Sequence, residues 1–206
     1  MRKGRLYVLS GPSGAGKGTI CKAVMDQGDP ELALSVSMTT RAPREGEVDG
    51  VSYFFVTQEE YDRTVAEGGF LEHAGIYGNC YGTPKAAALE KLNAGIDVIL
   101  EIEMQGALNV MRAEENVTSI YLLPPTMQIL KDRLINRGRE SEEKALRRFA
   151  EAGQEIELAT EYTYVVINDD LEKTVETIEN IIHEGTYRNP DDLPGIIRRL
   201  KEEKTK

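Results

Sequence analysis

Residues 11 to 19 read Gly11-Pro12-Ser13-Gly14-Ala15-Gly16-Lys17-Gly18-Thr19 and follow directly on the apolar run Leu6-Tyr7-Val8-Leu9. Glycines here let a chain leaving a buried strand turn its backbone N–H groups inward, and a helix starting near Lys17 adds the positive end of its dipole. The product is a phosphate cradle. Gly11, four residues, Gly16 and Lys17 match the phosphate-binding loop signature, with Lys17 placed to reach the outer phosphates of a nucleotide. A merely Gly-rich turn with an exposed lysine would not need strand, loop, lysine and helix in this order. Gly18 stands where the general signature has Ser or Thr, and the hydroxyl arrives one residue later at Thr19. The motif therefore leaves direct ligation of a metal by a loop hydroxyl open.

A second group of donors lies between Ser37 and Tyr53, where Arg41 and Arg44 flank Pro43. In an acidic protein, paired guanidiniums beside turn residues suit bidentate capture of a phosphate dianion, and a tyrosine hydroxyl such as that of Tyr53 adds a donor. Taken alone, arginines on a turn fit plain solvation equally well. Glu101 and Glu103 close an apolar strand, at the edge where open α/β sheets bind ligands. Solvent-facing carboxylates at a strand end are the simpler alternative. His73 adjoins Glu72, yet a packing or loop role accounts for it without catalysis.

These side chains need elements to hold them. Short runs of branched and aromatic residues recur at Leu6 to Leu9, Ile96 to Leu100, Ile120 to Leu123 and Tyr164 to Ile167, separated by helical patterns. Near-continuous apolar strands between helices predict a parallel sheet covered on both faces, hence an α/β architecture. A further strand is expected at Leu34 to Ser37, and Tyr53-Phe54-Phe55-Val56 reads as part of a smaller, partly antiparallel insertion. Thr57 with Glu60 forms a capping box ahead of a helix that stops at Gly68-Gly69, and Thr83-Pro84 opens another that ends before Gly95. Thr126 caps a helix running toward Arg137, and Ser141 caps a charged one reaching about Glu157. Their charge and scarcity of branched apolar residues predict loose packing over the core, as in a lid. Ile196, Ile197 and Leu200 repeat at helical spacing in a polar tail.

At 206 residues the chain fits one domain with a buried core. Its 35 acidic residues outnumber 25 basic ones, for a net charge of -10. Such a surface repels nucleic acid and anionic membrane, so phosphate binding must come from locally gathered donors and a small ligand is expected. No apolar stretch approaches a membrane span of roughly 20 residues, and Met1-Arg2-Lys3-Gly4-Arg5 leads into a strand without a signal-peptide core. A cytoplasmic location is expected. Cys21, Cys80, His73 and His183 make no metal-ligand spacing, so both thiols are read as reduced.

The motifs resemble one family in order and register. The loop 11–19, the segment Ser37 to Tyr53, Phe70-Leu71-Glu72-His73-Ala74 through Gly78-Asn79-Cys80-Tyr81-Gly82-Thr83-Pro84, and Leu100-Glu101-Ile102-Glu103-Met104-Gln105-Gly106 follow each other as in guanylate kinases. Leu123-Pro124-Pro125, Arg137, Arg147-Arg148 and Val166-Ile167-Asn168-Asp169-Asp170 extend the resemblance to about residue 185. It implies a P-loop NTPase three-layer α/β core with a parallel sheet, a small mixed α/β GMP-binding insertion and a helical lid. The matching boundaries are a core of about 1–33, 84–125 and 156–206, a GMP-binding region of about 34–83 and a lid of about 126–155.

The activity so implied is ATP-dependent phosphorylation of GMP, and of dGMP, by in-line transfer. ATP would lie on residues 11–19, with Asn168 near adenine, although Asn168 also reads as a simple turn residue. The acceptor phosphate falls to positions matching Arg41, Arg44, Tyr53 and Tyr81, and guanine to Ser37, Glu72 and Thr83. A carboxylate accepts the two adjacent guanine donors, N1–H and the amine, whereas adenine sets a lone pair against it. Glu101 lies near the acceptor and, with Glu103, would help hold hydrated Mg2+. Lys17, Arg41, Arg44, Arg137 and Arg148 would neutralise the transferring group, with Arg133 and Arg147 as further lid candidates. A kinase of another phosphorylated small molecule would not need Glu72, Ser37 and Thr83 together. A non-catalytic phosphopeptide-binding relative would not need an intact loop. Oligomeric state is not legible.

Overall fold

Strand and helix alternate along most of the chain, as the apolar runs predict. The computed structural model describes residues 2–76, 78–136 and 142–204. From the start come β1 (Leu6–Ser10), α1 (Lys17–Met25), β2 (Leu32–Leu34), β3 (Met38–Thr39), β4 (Phe54–Phe55), α2 (Gln58–Ala66) and β5 (Phe70–Ile76). Next are β6 (Asn79–Pro84), α3 (Lys85–Asn93), β7 (Asp97–Glu101), α4 (Met104–Ala113) and β8 (Val117–Leu123). The chain closes with α5 (Met127–Asn136), α6 (Glu142–Glu155), a 3-10 segment (Ile156–Glu161), β9 (Tyr164–Ile167), α7 (Leu171–His183) and α8 (Leu193–Lys204).

Five strands form one sheet in the order β2-β7-β1-β8-β9, and β2 with β7 and β8 with β9 pair in parallel. The central strands are the expected ones: every residue of β1 is buried, and Val98, Leu100, Ile120 and Leu123 are at most 1% exposed. Burying such a side chain fully contributes roughly 1.5–3 kcal/mol, which is why continuous apolar runs mark these strands. The strand expected at Leu34 to Ser37 lies earlier, at β2. Its register places Leu32 opposite Asp97 and Leu34 opposite Ile99, and the Ser35 amide adds one last bond to the Ile99 carbonyl.

The chain divides into two compact units, Met1–Val8 with Asp29–Val117, and Leu9–Gly28 with Thr118–Lys206. The first unit holds a four-stranded sheet of order β4-β3-β6-β5, in which β3 pairs in parallel with β4 while β6 runs antiparallel to β3 and β5. The mixed insertion expected around Tyr53 is this sheet. Thr57 and Glu60 form the anticipated capping box, each satisfying the other's backbone N–H at the start of α2. At the other end of the unit, buried Asp97 accepts from Arg2 Nη1 at 2.7 Å and from the Arg5 amide at 2.6 Å, which pins the residues leading into β1.

In the second unit, Thr126 caps α5 as expected, its Oγ1 accepting from the Ile129 amide at 3.1 Å. The packing of α5 and α6 differs from the expectation of a loose layer. Met127, Leu130, Leu134, Ala145 and Ala152 are buried. Composition averages over a helix, whereas three- and four-residue spacing gathers these few apolar side chains on one face and leaves the charges on the other. Ser141, expected to cap α6, lies outside the described residues. Ile197 and Leu200 of α8 are buried, so the terminal helix docks through the predicted apolar stripe. Among the described residues no helix is long and apolar enough to cross a membrane, and Cys21 and Cys80 are free thiols.

Candidate active site

The candidate phosphate loop belongs to the second unit. It leaves β1 through Gly11 and enters α1 at Lys17, with Gly16 in the left-handed conformation at the helix cap (φ 99°). That conformation favours glycine, and a Cβ there would also lie 2.5 Å from Asn168 Nδ2. The Lys17 ammonium arches over the loop and donates to the Gly11 carbonyl at 2.6 Å. Beneath the loop, Asn168 Nδ2 donates to the Ala15 carbonyl at 2.7 Å, and Arg133 Nη2 donates to the Asn168 carbonyl at 3.1 Å. Asn168 is 6% exposed, and its amide nitrogen is engaged by the loop. A cavity of about 410 Å³ opens beside the loop, lined by Gly14, Gly16, Thr19, Arg133, Asn168, Asp169 and Leu171.

The Ser13 hydroxyl is buried and finds no hydrogen-bond partner among the described residues. A buried donor so placed, close to a helix N-terminus, suits an anion. Glu155, at the end of α6, reaches the same loop: its Oε2 accepts from the Ser13 amide at 3.3 Å while the Tyr121 hydroxyl donates to its carbonyl at 2.6 Å. Arg148 is half-buried on α6 and Arg147 is exposed there. Arg137 lies outside the described residues.

The remaining candidates lie in the first unit. Arg41 stacks over Tyr53, its guanidinium carbon 5.4 Å from the ring centroid, and lies 5.8 Å from that of Phe55. Its Nη2 pairs with Glu47 Oε1 at 2.9 Å, with side chains only 11% and 17% exposed. Glu47 Oε2 also accepts from the Arg44 amide at 2.8 Å. Burial pushes the Glu47 carboxyl up, but the hydrogen bonds from Arg41 and the Arg44 amide prevail and hold it below the usual range. The Tyr81 hydroxyl interacts with the same Arg41 guanidinium, and the Tyr53 and Tyr81 rings meet edge to face, centroids 6.0 Å apart. Burial, with Glu101 next in effect, pushes the Tyr53 phenol up to about 12. It therefore remains a donor at neutral pH. Arg41, Tyr53 and Tyr81 thus form one cluster; Arg44 joins it through its backbone, with its side chain exposed.

Glu72 and Thr83 sit directly opposite each other on β5 and β6. The Thr83 hydroxyl donates to Glu72 Oε1 at 2.7 Å, and Glu72 is 7% exposed. Burial drives its carboxyl above the ordinary range, against the Thr83 hydrogen bonds. Ser37 precedes β3 and is half-buried, its carbonyl accepting from the Phe54 amide at 2.9 Å. A buried carboxylate with one oxygen committed to a hydroxyl suits a flat heterocycle that offers adjacent N–H donors. His73, by contrast, points to the exposed face of β5.

Glu101 ends β7 and Glu103 stands at the N-cap position of α4 without a side-chain capping bond, and both are part-exposed. Among the described residues no three His, Cys, Asp or Glu side chains gather to hold a metal by themselves. Mg2+ is commonly held by one or two carboxylates, with water and substrate phosphates filling the other positions. The pair fits that shared kind of site and not a closed cage.

Glu47 and Glu155 were not singled out by sequence reasoning. Glu47 carries a faint signal, a carboxylate in the same turn-rich segment as the two arginines. Glu155 carries none, being one acid among many on a charged helix.

A family model described as guanylate kinase matches residues 3–185. A guanylate kinase from Clostridioides difficile is 46% identical over 203 residues, covering 98% of each chain. One from Clostridium perfringens is 51% identical over 180 residues, 87% of this chain and 83% of the relative. Among solved structures, the guanylate kinase from Anaplasma phagocytophilum superimposes with a TM-score of 0.75 at 34% identity, covering 91% of this chain and 88% of that one.

Proposed function

The chain belongs to the guanylate kinase family, and we propose that it transfers the γ-phosphoryl group of ATP to GMP, and to dGMP. An oxygen of the acceptor phosphate attacks the γ-phosphorus, the bond to the β–γ bridging oxygen breaks, and ADP leaves with the electron pair as GDP forms. No general base is needed, because a phosphate monoester has a second pKa of about 6 and its oxygen is already ionised near neutrality. The chemical problem is to bring two polyanions together and neutralise the charge that repels them.

Each group of side chains has a part in that task. The amides of residues 11–19 and Lys17 hold the ATP phosphates, and Asn168 and Arg133 stiffen the loop that presents those amides. Arg41, Arg44, Tyr53 and Tyr81 hold the acceptor phosphate. Glu72, Thr83 and Ser37 take guanine, with Glu101 near the acceptor. Arg137 and Arg148 supply charge to the transferring group and help exclude water, which keeps ATP from hydrolysis. Glu101 and Glu103 would hold hydrated Mg2+, which when bound neutralises charge on the phosphates. Conversion of GMP to GDP is a step of purine nucleotide metabolism, and a cytoplasmic location is part of this proposal.

One observation supports this reading above others: a buried carboxylate, Glu72, tied on one oxygen by Thr83. A phosphosugar kinase would gain nothing from that costly arrangement. The test is a coupled assay of ADP release with ATP and Mg2+, offering GMP, dGMP, AMP, UMP and CMP. GMP should exceed AMP in kcat/KM by roughly 10⁴, the discrimination available to a site whose buried polar groups go unpaired with the wrong base. Comparable use of AMP would refute guanine recognition.

A further inference from the structure

Gly106 lies in the first helical turns of α4 and is buried. Glycine is a poorer helix former than alanine, so its use inside a helix calls for a reason. Conformation is not that reason, since Gly106 is absent from the glycines with positive φ. Space is. A Cβ at this position would lie 2.2 Å from Glu72 Oε2, 2.9 Å from its Cδ and 3.4 Å from its Cγ. Its three nearest neighbours would thus all be atoms of the Glu72 side chain.

We propose that Gly106 is a specificity-determining positioning residue, whose bare backbone gives the Glu72 carboxylate its seat; this rests on Glu72 being the guanine acceptor. The carboxylate is held from two sides. Thr83 Oγ1 grips Oε1 at 2.7 Å, and Oε2 packs into the space that a side chain at 106 would fill. A methyl group there would require Oε2 to retreat by about 1 Å to reach ordinary contact. The carboxylate ends a flexible side chain whereas α4 is a packed helix, so the carboxylate is the part that moves. The cost therefore falls on the geometry of base recognition rather than on the fold.

The test compares Gly106→Ala, Glu72→Gln, Glu72→Asp and the double variant G106A/E72D, reading KM and kcat for GMP and for ATP together with thermal stability. Misplacing a recognition group by about 1 Å is expected to raise the KM for GMP about 10- to 100-fold in G106A. The KM for ATP should stay unchanged and the melting temperature should equal or exceed that of the parent. In the double variant the shorter aspartate makes room for the new methyl, so adding G106A to E72D should cost GMP use several-fold less than adding it to the parent. If E72Q weakens GMP use while G106A does not, the seat is disproved and guanine recognition stands. If E72Q itself leaves GMP use intact, the recognition reading fails first. A G106A protein that loses affinity for both nucleotides, or does not fold, overturns the inference by showing a structural role.

Discussion

Replacing Glu72 with glutamine separates recognition from stability with opposite signs. In the parent, Thr83 donates to Oε1 and the carboxylate is almost fully buried at 7% exposure. A glutamine can keep the Thr83 bond through its amide oxygen, but it then turns an NH₂ toward guanine, where two donors face a third. One charge-assisted hydrogen bond is lost, about 1.5–3 kcal/mol, and a buried donor is left unsatisfied, about 1–3 kcal/mol. A middle value of about 3–4 kcal/mol lowers kcat/KM for GMP roughly 100- to 1,000-fold. Stability moves the other way. Burial raises the Glu72 carboxyl above its unfolded value, so folding binds the proton more tightly. The stability it contributes is then fullest below the unfolded value and is lost as pH rises through the folded one. At neutral pH the ionised group is a burden that glutamine lifts, and the melting temperature of E72Q should match or exceed the parent's.

The same residue makes a pH prediction. On the proposed recognition guanine needs the ionised carboxylate, so the parent's GMP affinity should fall as pH drops through a value above the ordinary glutamate range of about 4.3. The GMP phosphate itself titrates near 6, and E72Q isolates that component. Steady-state kinetics from pH 5 to 8 on both proteins, with thermal melts alongside, check every sign. An E72Q enzyme within about threefold of the parent in kcat/KM for GMP, or one with the same acid limb, would refute the reasoning.

Two other outcomes follow from the site. Glu47 is held below the ordinary carboxylate range, so its stabilisation is present above the unfolded value and lost as pH falls through the folded one. E47Q should flatten the acid limb of the stability profile in thermal melts and, by freeing Arg41 from its orientation, raise the KM for GMP about 10-fold; a lower KM would mean that Glu47 competes with the acceptor phosphate. Asn168→Ala removes the hydrogen bond to the Ala15 carbonyl, so it should cost about 1 kcal/mol of stability and raise the KM for ATP about fivefold, leaving GMP untouched. An unchanged KM for ATP in titrations at saturating GMP would remove Asn168 from the loop's support.

The loop proposed to hold phosphates is legible in the sequence because its residues are nine consecutive ones bounded by a strand and a helix. The central strands are legible because burial on both faces demands continuous apolar runs, and the α2 cap because Thr57 and Glu60 meet within one turn. Local spacing carries all of these. The Glu72–Thr83 pair proposed for guanine is not legible in local spacing, since the two residues become neighbours through the register of β5 against β6, which no local pattern specifies. Packing of α5 departs from the expectation because charge content hides a one-sided apolar stripe.

Other features arise when distant segments approach. Asn168 meets Ala15 across 153 positions of chain, Glu155 reaches Ser13 across 142, and Gly106 receives the Glu72 carboxylate from another element. Near-neighbour chemistry follows from covalent spacing and is written in the chain. Contacts between remote residues depend on strand register and helix placement, which the summed packing of the whole molecule sets.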